Sequence, residues 1–544
     1  RKCKNHRRKY GMIVIFRICL QAKRLAKWIS PLELCFQNSS TEKNYFYNTH
    51  MKNKIAIIWA GPGGLSAAML LSSQGHEVDI YEKSEAIWGR NSRLTLAGKY
   101  HFDVGPTFLL MKPFLDEIFE LSWKKSSDYL DFKQVDPMYE LHFANVSVSM
   151  TSDHKKMRET IAQLFPGEEA WFDKYLTYED KRLEKMYPCL DMDYSKFSRI
   201  IKKWRHLIEV LPYLSLSKSL YQVLSGYFTR EELKLCFTFQ AKYLGMSPWN
   251  CPGFFSMLAY AEHKYGIYHT TGWLSEISEA MAQVAQENGA KLHLQTPIKK
   301  IITQNKKATG IELETGEIKQ YDSVVINSDF GTAMTHLFDE KDVPKYTAKK
   351  LAKKWLSCST FMVYLALDKL YDLPFHSIYF AREYRDQLEK IHHNQPIGDK
   401  DFSFYVRNAS ILDKTLAPEW HSWLYILIPM SNLRSGEIWD DAQNTTWYET
   451  ALNTLEERVW LSDIRSHIVT SETINPRDWE NRGVYMGATF NLAHSLDQML
   501  YFRPHNEFEC VKNCYLVGGG THPGSWLPTI YESAKIVAGI IEKQ

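Results

Sequence analysis

Residues 54–84 leave little choice of architecture. KIAII (54–58) is a short, β-branched, uninterrupted apolar run, the pattern of a strand buried on both faces of a parallel sheet. WAGPGGLSAAMLL (59–71) follows, small residues first and then a helical stretch that runs to Ser73 and stops at Gly75. HEVDIYEKS (76–84) reads as a second strand with Glu82 near its end. Strand, Gly-rich turn, helix, strand and acid together open a doubly wound α/β fold that takes a dinucleotide at the carboxyl ends of its strands. In such a unit the first glycine makes the tight turn, the second lets the backbone approach a pyrophosphate, and the third lets the helix pack close. The helix N-terminus offers free N–H groups and the positive dipole end to the phosphates. Glu82 follows Gly61 by 21 residues, the spacing at which an acid accepts ribose hydroxyls. The expected cofactor contacts here are Trp59, Ala60, Gly61, Gly64 and Glu82. One of them breaks the pattern: the first glycine position is Trp59, whose Cβ and indole such a turn does not admit.

Charge narrows the partners. Residues 1–50 carry eleven Lys/Arg against two Asp/Glu, while the remainder holds 55 basic and 61 acidic residues. The basic excess belongs to this leader, so nucleic-acid binding by the whole protein has no support. The leader shows no steady helical or strand period, and Arg17 interrupts its one apolar stretch. The expectation is an upstream, disordered segment with translation starting at Met51. Nine cysteines without a CxxC pair do not make a disulfide scaffold and fit a reduced cytoplasm. No run of 18 apolar residues predicts a spanning helix, and no HExxH or paired Cys/His spacing predicts a metal site.

Further along, EKSEAIWGRNSRL (82–94), FDVGPTFLL (102–110), AKYLGMSPW (241–249), YGIYHTTGWLSEISEAMA (265–282) and NCYLVGGGTHPGSWLPTIYESAK (513–535) are long and distinctive. Through these segments the chain from Met51 to Gln544 resembles the phytoene desaturase-type carotenoid oxidoreductases, flavoproteins related to the amine oxidases. The resemblance implies FAD as cofactor and a lipophilic polyene substrate. It also implies further flavin contacts at Arg90, Gly105, Pro106, Thr107, Gly519, Gly520 and Thr521, with the backbone of Ile298 at the adenine. It implies a discontinuous Rossmann-like FAD domain (51–135, 270–340, 485–544) and an α+β substrate domain formed by 136–269 and 341–484.

The departures from this pattern share one form. Where the family has glycine, this chain has Trp59, Trp88, Trp273 and Trp526; Trp123, Trp171, Trp420 and Trp460 also stand where glycine is expected. Glycine is 27 of 544 residues, about 5% against a usual value of about 7%, and tryptophan numbers 16. A gene whose UGA codons mean glycine, translated with UGA as tryptophan, would produce this pattern; random decay would scatter over many residue types.

Desaturation removes a hydride and a proton from adjacent carbons, and no side chain accepts a hydride, so a flavin must. A water-free apolar tunnel is then expected, with aromatics available in 236–244 and 253–269. His522, beside the expected flavin site, is either an acid/base group or a histidine bonded to backbone; Asp103 and Glu532 are either acid/base carboxylates or capping groups. Residues 198–224 mix Lys202, Lys203, Arg205 and Lys218 with Leu207, Val210 and Leu211, which suggests peripheral contact with the inner face of the cell membrane. Three rival readings remain: carotenoid cis–trans isomerisation on the same fold, an amine-oxidase-like enzyme, and a flavin-less binding protein if the tryptophans are real.

Overall fold

A computed structural model describes residues 52–87 and 89–544. The expectations for the leader and for Trp88 fall outside the described residues. Five parallel strands form the first sheet, in the order Lys291–His293, Glu77–Tyr81, Lys54–Ile58, Ser323–Ile326, Cys514–Leu516. Ile55 to Ile58 are fully buried, as a central strand covered on both faces requires. On one face the helix Pro62–Ser73 packs between the helices Glu276–Glu287 and Leu527–Ile541. Its first residues are small, and Pro62 at the first turn supplies a preset φ. A three-stranded antiparallel sheet, Ile298–Gln304, Lys307–Leu313 and Ile318–Gln320, contributes to a second apolar cluster on the other face.

The second large layer is a seven-stranded mixed sheet. Its order is Ile468–Ile474, Ser359–Leu367, Ser422–Met430, Phe404–Arg407, His376–Tyr379, Tyr139–His142, Ser147–Met150. Ser359–Leu367 and Ser422–Met430 pair over nine residues, which places Met362 beside Leu427 and Tyr364 beside Tyr425. The helix Asp441–Arg458 packs against one side of this sheet, and the other side floors a cavity. A small sheet of Leu109–Leu110, Ile267–Thr270 and Phe132–Val135 stands between the two large layers in sequence.

Two expectations need correction here. Val210 is buried in the core, so it cannot enter a lipid interface; Lys202, Lys203, Arg205 and Lys218 are exposed, and Leu207 and Leu211 are half-buried. Three aromatics of 253–269 are also core. Phe254, Phe255 and Tyr260 are buried and do not reach the cavity, whereas Phe239 and Tyr243 do.

Candidate cofactor and substrate site

One cavity of about 1310 Å³ runs from the Gly-rich turn of the parallel sheet to the floor of the seven-stranded sheet. Its first end is polar. Trp59, Gly61, Pro62 and Gly63 line it with Glu82, Arg90 and Asp329. Trp59 donates its N–H to the Tyr81 carbonyl (2.7 Å), and its own carbonyl accepts from Asn327 Nδ2 (3.0 Å). Glu82 ties the turn together: Oε2 accepts from Ala60 N–H and Oε1 from Ser84 N–H, each at 3.0 Å. Gly64 lies so near the turn that a Cβ there would stand 2.3 Å from the Trp59 carbonyl oxygen. Arg90 donates to the Thr489 carbonyl (2.9 Å) and pairs with buried Asp329 at 3.8 Å. Asp329 in turn caps the helix Phe330–His336 through Gly331 N–H and Thr332 N–H.

Beyond Arg90 the segment 104–108 crosses the cavity wall, held from the sheet by hydroxyls. Tyr364 donates to the Val104 carbonyl, Tyr425 to the Gly105 carbonyl and Tyr405 to Thr107 Oγ1, at 3.0, 3.0 and 3.1 Å. Gly105 presses on the neighbouring loop, where a Cβ would fall 2.0 Å from the Arg90 carbonyl oxygen. The far part of the cavity is apolar, with Phe108, Phe239, Met362, Ile378 and Leu427 among its walls. Three polar groups interrupt it. Tyr139 donates to Glu262 Oε2 (2.7 Å), which burial pushes up to about 7. His376 Nδ1 lies 2.5 Å from the Tyr405 hydroxyl, and burial holds the ring neutral, well below the usual histidine range. Lys242 Nζ reaches Ser403 Oγ (3.2 Å) with Tyr384 facing it at 5.0 Å, and burial pushes its ammonium down to about 7. Glu82, Glu85, Asp329, Glu389 and Asp497 also line the cavity. Among the described residues, no group of His, Cys, Asp or Glu is arranged to hold a metal ion.

A five-stranded parallel sheet with a Gly-rich turn, joined through a cavity to a mixed sheet, is the setting in which the comparisons with known proteins fall. The family model described as flavin containing amine oxidoreductase matches residues 62–541. The chain belongs to that family. This flavin oxidoreductase is 48% identical over 492 residues to a 4,4′-diapophytoene desaturase (4,4′-diapolycopene-forming) of Methylomonas sp, covering 90% of this chain and 95% of the relative. It is 32% identical over 508 residues to an all-trans-zeta-carotene desaturase of Myxococcus xanthus, covering 90% and 93%. A putrescine oxidase structure with bound putrescine shares the fold, with a TM-score of 0.59 at 12% identity over 91% of this chain and all of that one.

The cavity fits the flavin dinucleotide that the family carries, because its polar end combines the helix N-terminus, the Glu82 carboxylate and the backbone cradles at Gly64 and Gly105. Ser525 Oγ, buried and without a hydrogen-bond partner, also faces it. Of the residues expected at the cofactor, Trp59, Gly61, Glu82, Arg90, Gly105, Pro106, Thr107 and Gly519 line this flavoprotein's cavity. Ala60, Gly64, Ile298, Gly520 and Thr521 do not line it. Ala60 and Gly64 shape the turn from behind. Ile298 begins the three-stranded sheet, and Thr521 Oγ1 donates to the Pro504 carbonyl.

His522 is corrected as a catalytic candidate. It is fully buried, its Nε2 meets the Leu190 carbonyl at 3.0 Å, its ring packs on Tyr194, and it does not reach the cavity. Desolvation pushes it down to about 3, so it stays neutral as a buried prop. Asp103 and Glu532 are structural too. Asp103 accepts from Leu274 N–H (2.8 Å) and pairs with buried Arg407 at 2.5 Å; Glu532 pairs with Lys535 at 2.9 Å. The residues that sequence reasoning passed over are His376, Tyr405, Tyr425 and Tyr139. They come from four separate strands with no local motif, and only the pairing of the mixed sheet brings them to one wall.

Proposed function

We propose that this protein is an FAD-dependent oxidoreductase that desaturates a carotenoid precursor such as 4,4′-diapophytoene or phytoene. The observation that carries the reading is the cavity: one continuous space joins the Gly-rich turn to the mixed sheet, where Phe108, Phe239, Met362, Ile378 and Leu427 are among its walls. Such a space accepts a hydrocarbon chain. Tyr405 and Tyr425, which bond Thr107 and the Gly105 carbonyl, pack edge to face at 75° rather than opposing their faces across a gap, which disfavours an amine substrate. The names borne by the two carotenoid desaturase relatives support the same choice.

In this reading FAD, when bound, supplies the hydride acceptor. Gly61 and Gly63 with the helix N-terminus would hold its pyrophosphate, Glu82 its ribose, and Arg90, Gly105, Pro106, Thr107 and Gly519 the flavin half. The chain's own task is to exclude water and to hold a CH2–CH2 unit against the 104–108 segment. The hydroxyls of Tyr364, Tyr405 and Tyr425 fix that segment on the sheet. The cavity also reaches Leu216, Ser217 and exposed Lys218, next to the basic stretch at 202–205. A substrate insoluble in water would enter there from the inner face of the cell membrane, to which the protein binds peripherally. Among the described residues no helix is long and apolar enough to cross a membrane.

The test is to express the chain from Met51, with glycine at 59, 88, 273 and 526, in cells that make 4,4′-diapophytoene or phytoene. A red-shifted polyene spectrum is expected. Purified, flavin-loaded protein that leaves both precursors unchanged refutes the reading.

A further inference from the structure

We infer that glycine, not tryptophan, is the residue that positions 59, 123, 420 and 460 carry in the working protein. The backbone carries this, independently of any motif. Fifteen non-glycine residues among those described have positive φ, and four are tryptophan, as many as asparagine, the side chain best suited to that conformation. Trp59, Trp123, Trp420 and Trp460 have φ of 77°, 62°, 65° and 59°. For a bulky side chain each is a genuine outlier.

The surroundings of three of them are turns that call for glycine. Trp123 follows the helix Lys112–Leu121 and its cap Ser122. Its N–H bonds the Glu120 carbonyl (3.0 Å) and the Lys124 N–H bonds the Phe119 carbonyl (2.9 Å). That double return is the Schellman motif, whose left-handed residue is usually glycine. Trp420 is the third residue of a β-turn closed by the His421 N–H on the Pro418 carbonyl (3.0 Å), with positive φ at that position alone. That is the type II pattern, which requires glycine there. Trp460 follows the helix Asp441–Arg458 and its cap Val459, and the next N–H, of Leu461, turns back to the Leu455 carbonyl (3.1 Å). Burial offers no reason for an indole at these three sites, which are 78%, 74% and 85% exposed.

The same criterion separates the other tryptophans. Trp526 has an extended φ of −100° and caps the last helix, Trp273 is absent from the left-handed set, and Trp171 lies inside the helix Glu169–Leu190. Their backbones make no demand for glycine. UGA is a codon that different genetic codes read as tryptophan or as glycine, so one reassignment accounts for all four outliers at once.

Tandem mass spectrometry of the protein purified from its natural source decides this directly. Peptides spanning 59, 123, 420 and 460 should carry glycine, with UGA in the gene at all four codons and UGG at buried Trp423 and Trp447. Tryptophan in those peptides, or UGG at 123, 420 and 460, overturns the inference. In the full-length protein, Trp123→Gly, Trp420→Gly and Trp460→Gly should each melt about 1–2 °C above the alanine variant of the same site, since only glycine removes the cost of the left-handed conformation. Equal melting of the two at all three sites also counts against it.

A separate observation points to the group that takes the proton in the proposed reaction, and this second inference rests on the desaturase reading. His376 lines the cavity with its ring 5.3 Å from Phe108, next to the segment proposed to hold the flavin. Tyr405 donates to Thr107 Oγ1, so its oxygen is left to accept from His376 Nδ1–H, and Nε2 then carries a bare lone pair. Nε2 is buried and has no hydrogen-bond partner. We propose that His376 Nε2 accepts the proton. One carbon gives a hydride to the oxidised flavin, the adjacent C–H gives its proton to Nε2, and that C–H pair becomes the new π bond. Once the hydride begins to leave, the adjacent C–H is strongly acidic, so a neutral imidazole suffices and no carboxylate is needed.

In glycine-restored protein, His376→Gln should lower turnover by about 10²-fold or more, with FAD affinity and quenching of protein fluorescence by the polyene unchanged. Tyr405→Phe should give a smaller loss and a shifted pH profile, because the ring loses its orienting partner and Thr107 one bond, while Nε2 itself remains. Turnover within tenfold of the parent in His376→Gln overturns the role. So does loss of FAD or polyene binding in that variant together with an unaltered Tyr405→Phe enzyme. An inactive parent strikes the desaturase reading instead.

Discussion

With glycine at 88, 273 and 526, the residue at 59 should decide whether the protein is yellow. For a dinucleotide to reach the helix N-terminus past Trp59, the half-buried indole must leave the cavity wall. It then gives up its contact with Lys83, whose Nζ lies 5.4 Å from the ring centre, at about 0.5–1 kcal/mol. It also exposes apolar surface at about 1.5–2 kcal/mol, the low end for a large side chain that is already partly open. The sum, about 2–3 kcal/mol, corresponds to roughly one and a half to two decades in Kd. The left-handed backbone at φ 77° adds about 1–2 kcal/mol of strain in both free and bound protein, so it enters stability rather than affinity. Titrating the parent, Trp59→Ala and Trp59→Gly proteins with FAD by flavin fluorescence quenching, alongside thermal melts, separates the two effects. Removing the indole should account for most of the gain in affinity, and only glycine should add the gain in stability. FAD binding by the parent, with Trp59 in place, within threefold of the Trp59→Gly variant would refute the steric argument.

Asp103→Asn leaves Arg407, fully buried, without its counter-charge and should destabilise the protein by about 3–5 kcal/mol in a melt; an unchanged melting temperature would show that the pair does not hold the 104–108 segment. Lys242 is pushed down to about 7 from an ordinary 10.5, so the unfolded chain binds its proton more tightly between those values and stability rises with pH across that window. Lys242→Met should therefore stabilise most at or below pH 7, with the gain fading toward pH 10.5; a gain independent of pH would mean the ammonium is not desolvated. Sedimentation with anionic liposomes should be lost in high salt and in the Lys202→Glu, Lys203→Glu, Arg205→Glu variant, and an unaltered protein that never sediments removes the membrane contact.

The Gly-rich turn, the flanking strands and Glu82 were legible because a βαβ unit is local. Its period, its small residues and its acid all lie within about thirty positions, and each acts on backbone a few bonds away. The distance between Gly61 and Glu82 in the chain becomes a bond between Ala60 and Glu82 because the paired strands Lys54–Ile58 and Glu77–Tyr81 end side by side. His522 misled for the same reason that the turn did not. Its motif brings Gly519 to the cavity wall, but the direction of the ring is set by Leu190 and Tyr194, more than 300 residues earlier. Asp103 turned from the cavity to Arg407 in the same way.

The misplaced tryptophans show both limits. Sequence pattern marked Trp59, Trp273 and Trp526 alike, but only backbone torsion distinguishes Trp59, in the left-handed region, from Trp273 and Trp526, which are outside it. Torsion also singles out Trp123, Trp420 and Trp460, where the motif signal was faint. The chemistry-bearing wall was the least legible part. Tyr139, His376, Tyr405 and Tyr425 lie on four strands spread over almost 300 residues. Alternation along each strand decides that one face looks inward. Which strands become neighbours, and so which side chains share a cavity, is decided by long-range sheet pairing and helix packing that no local pattern encodes.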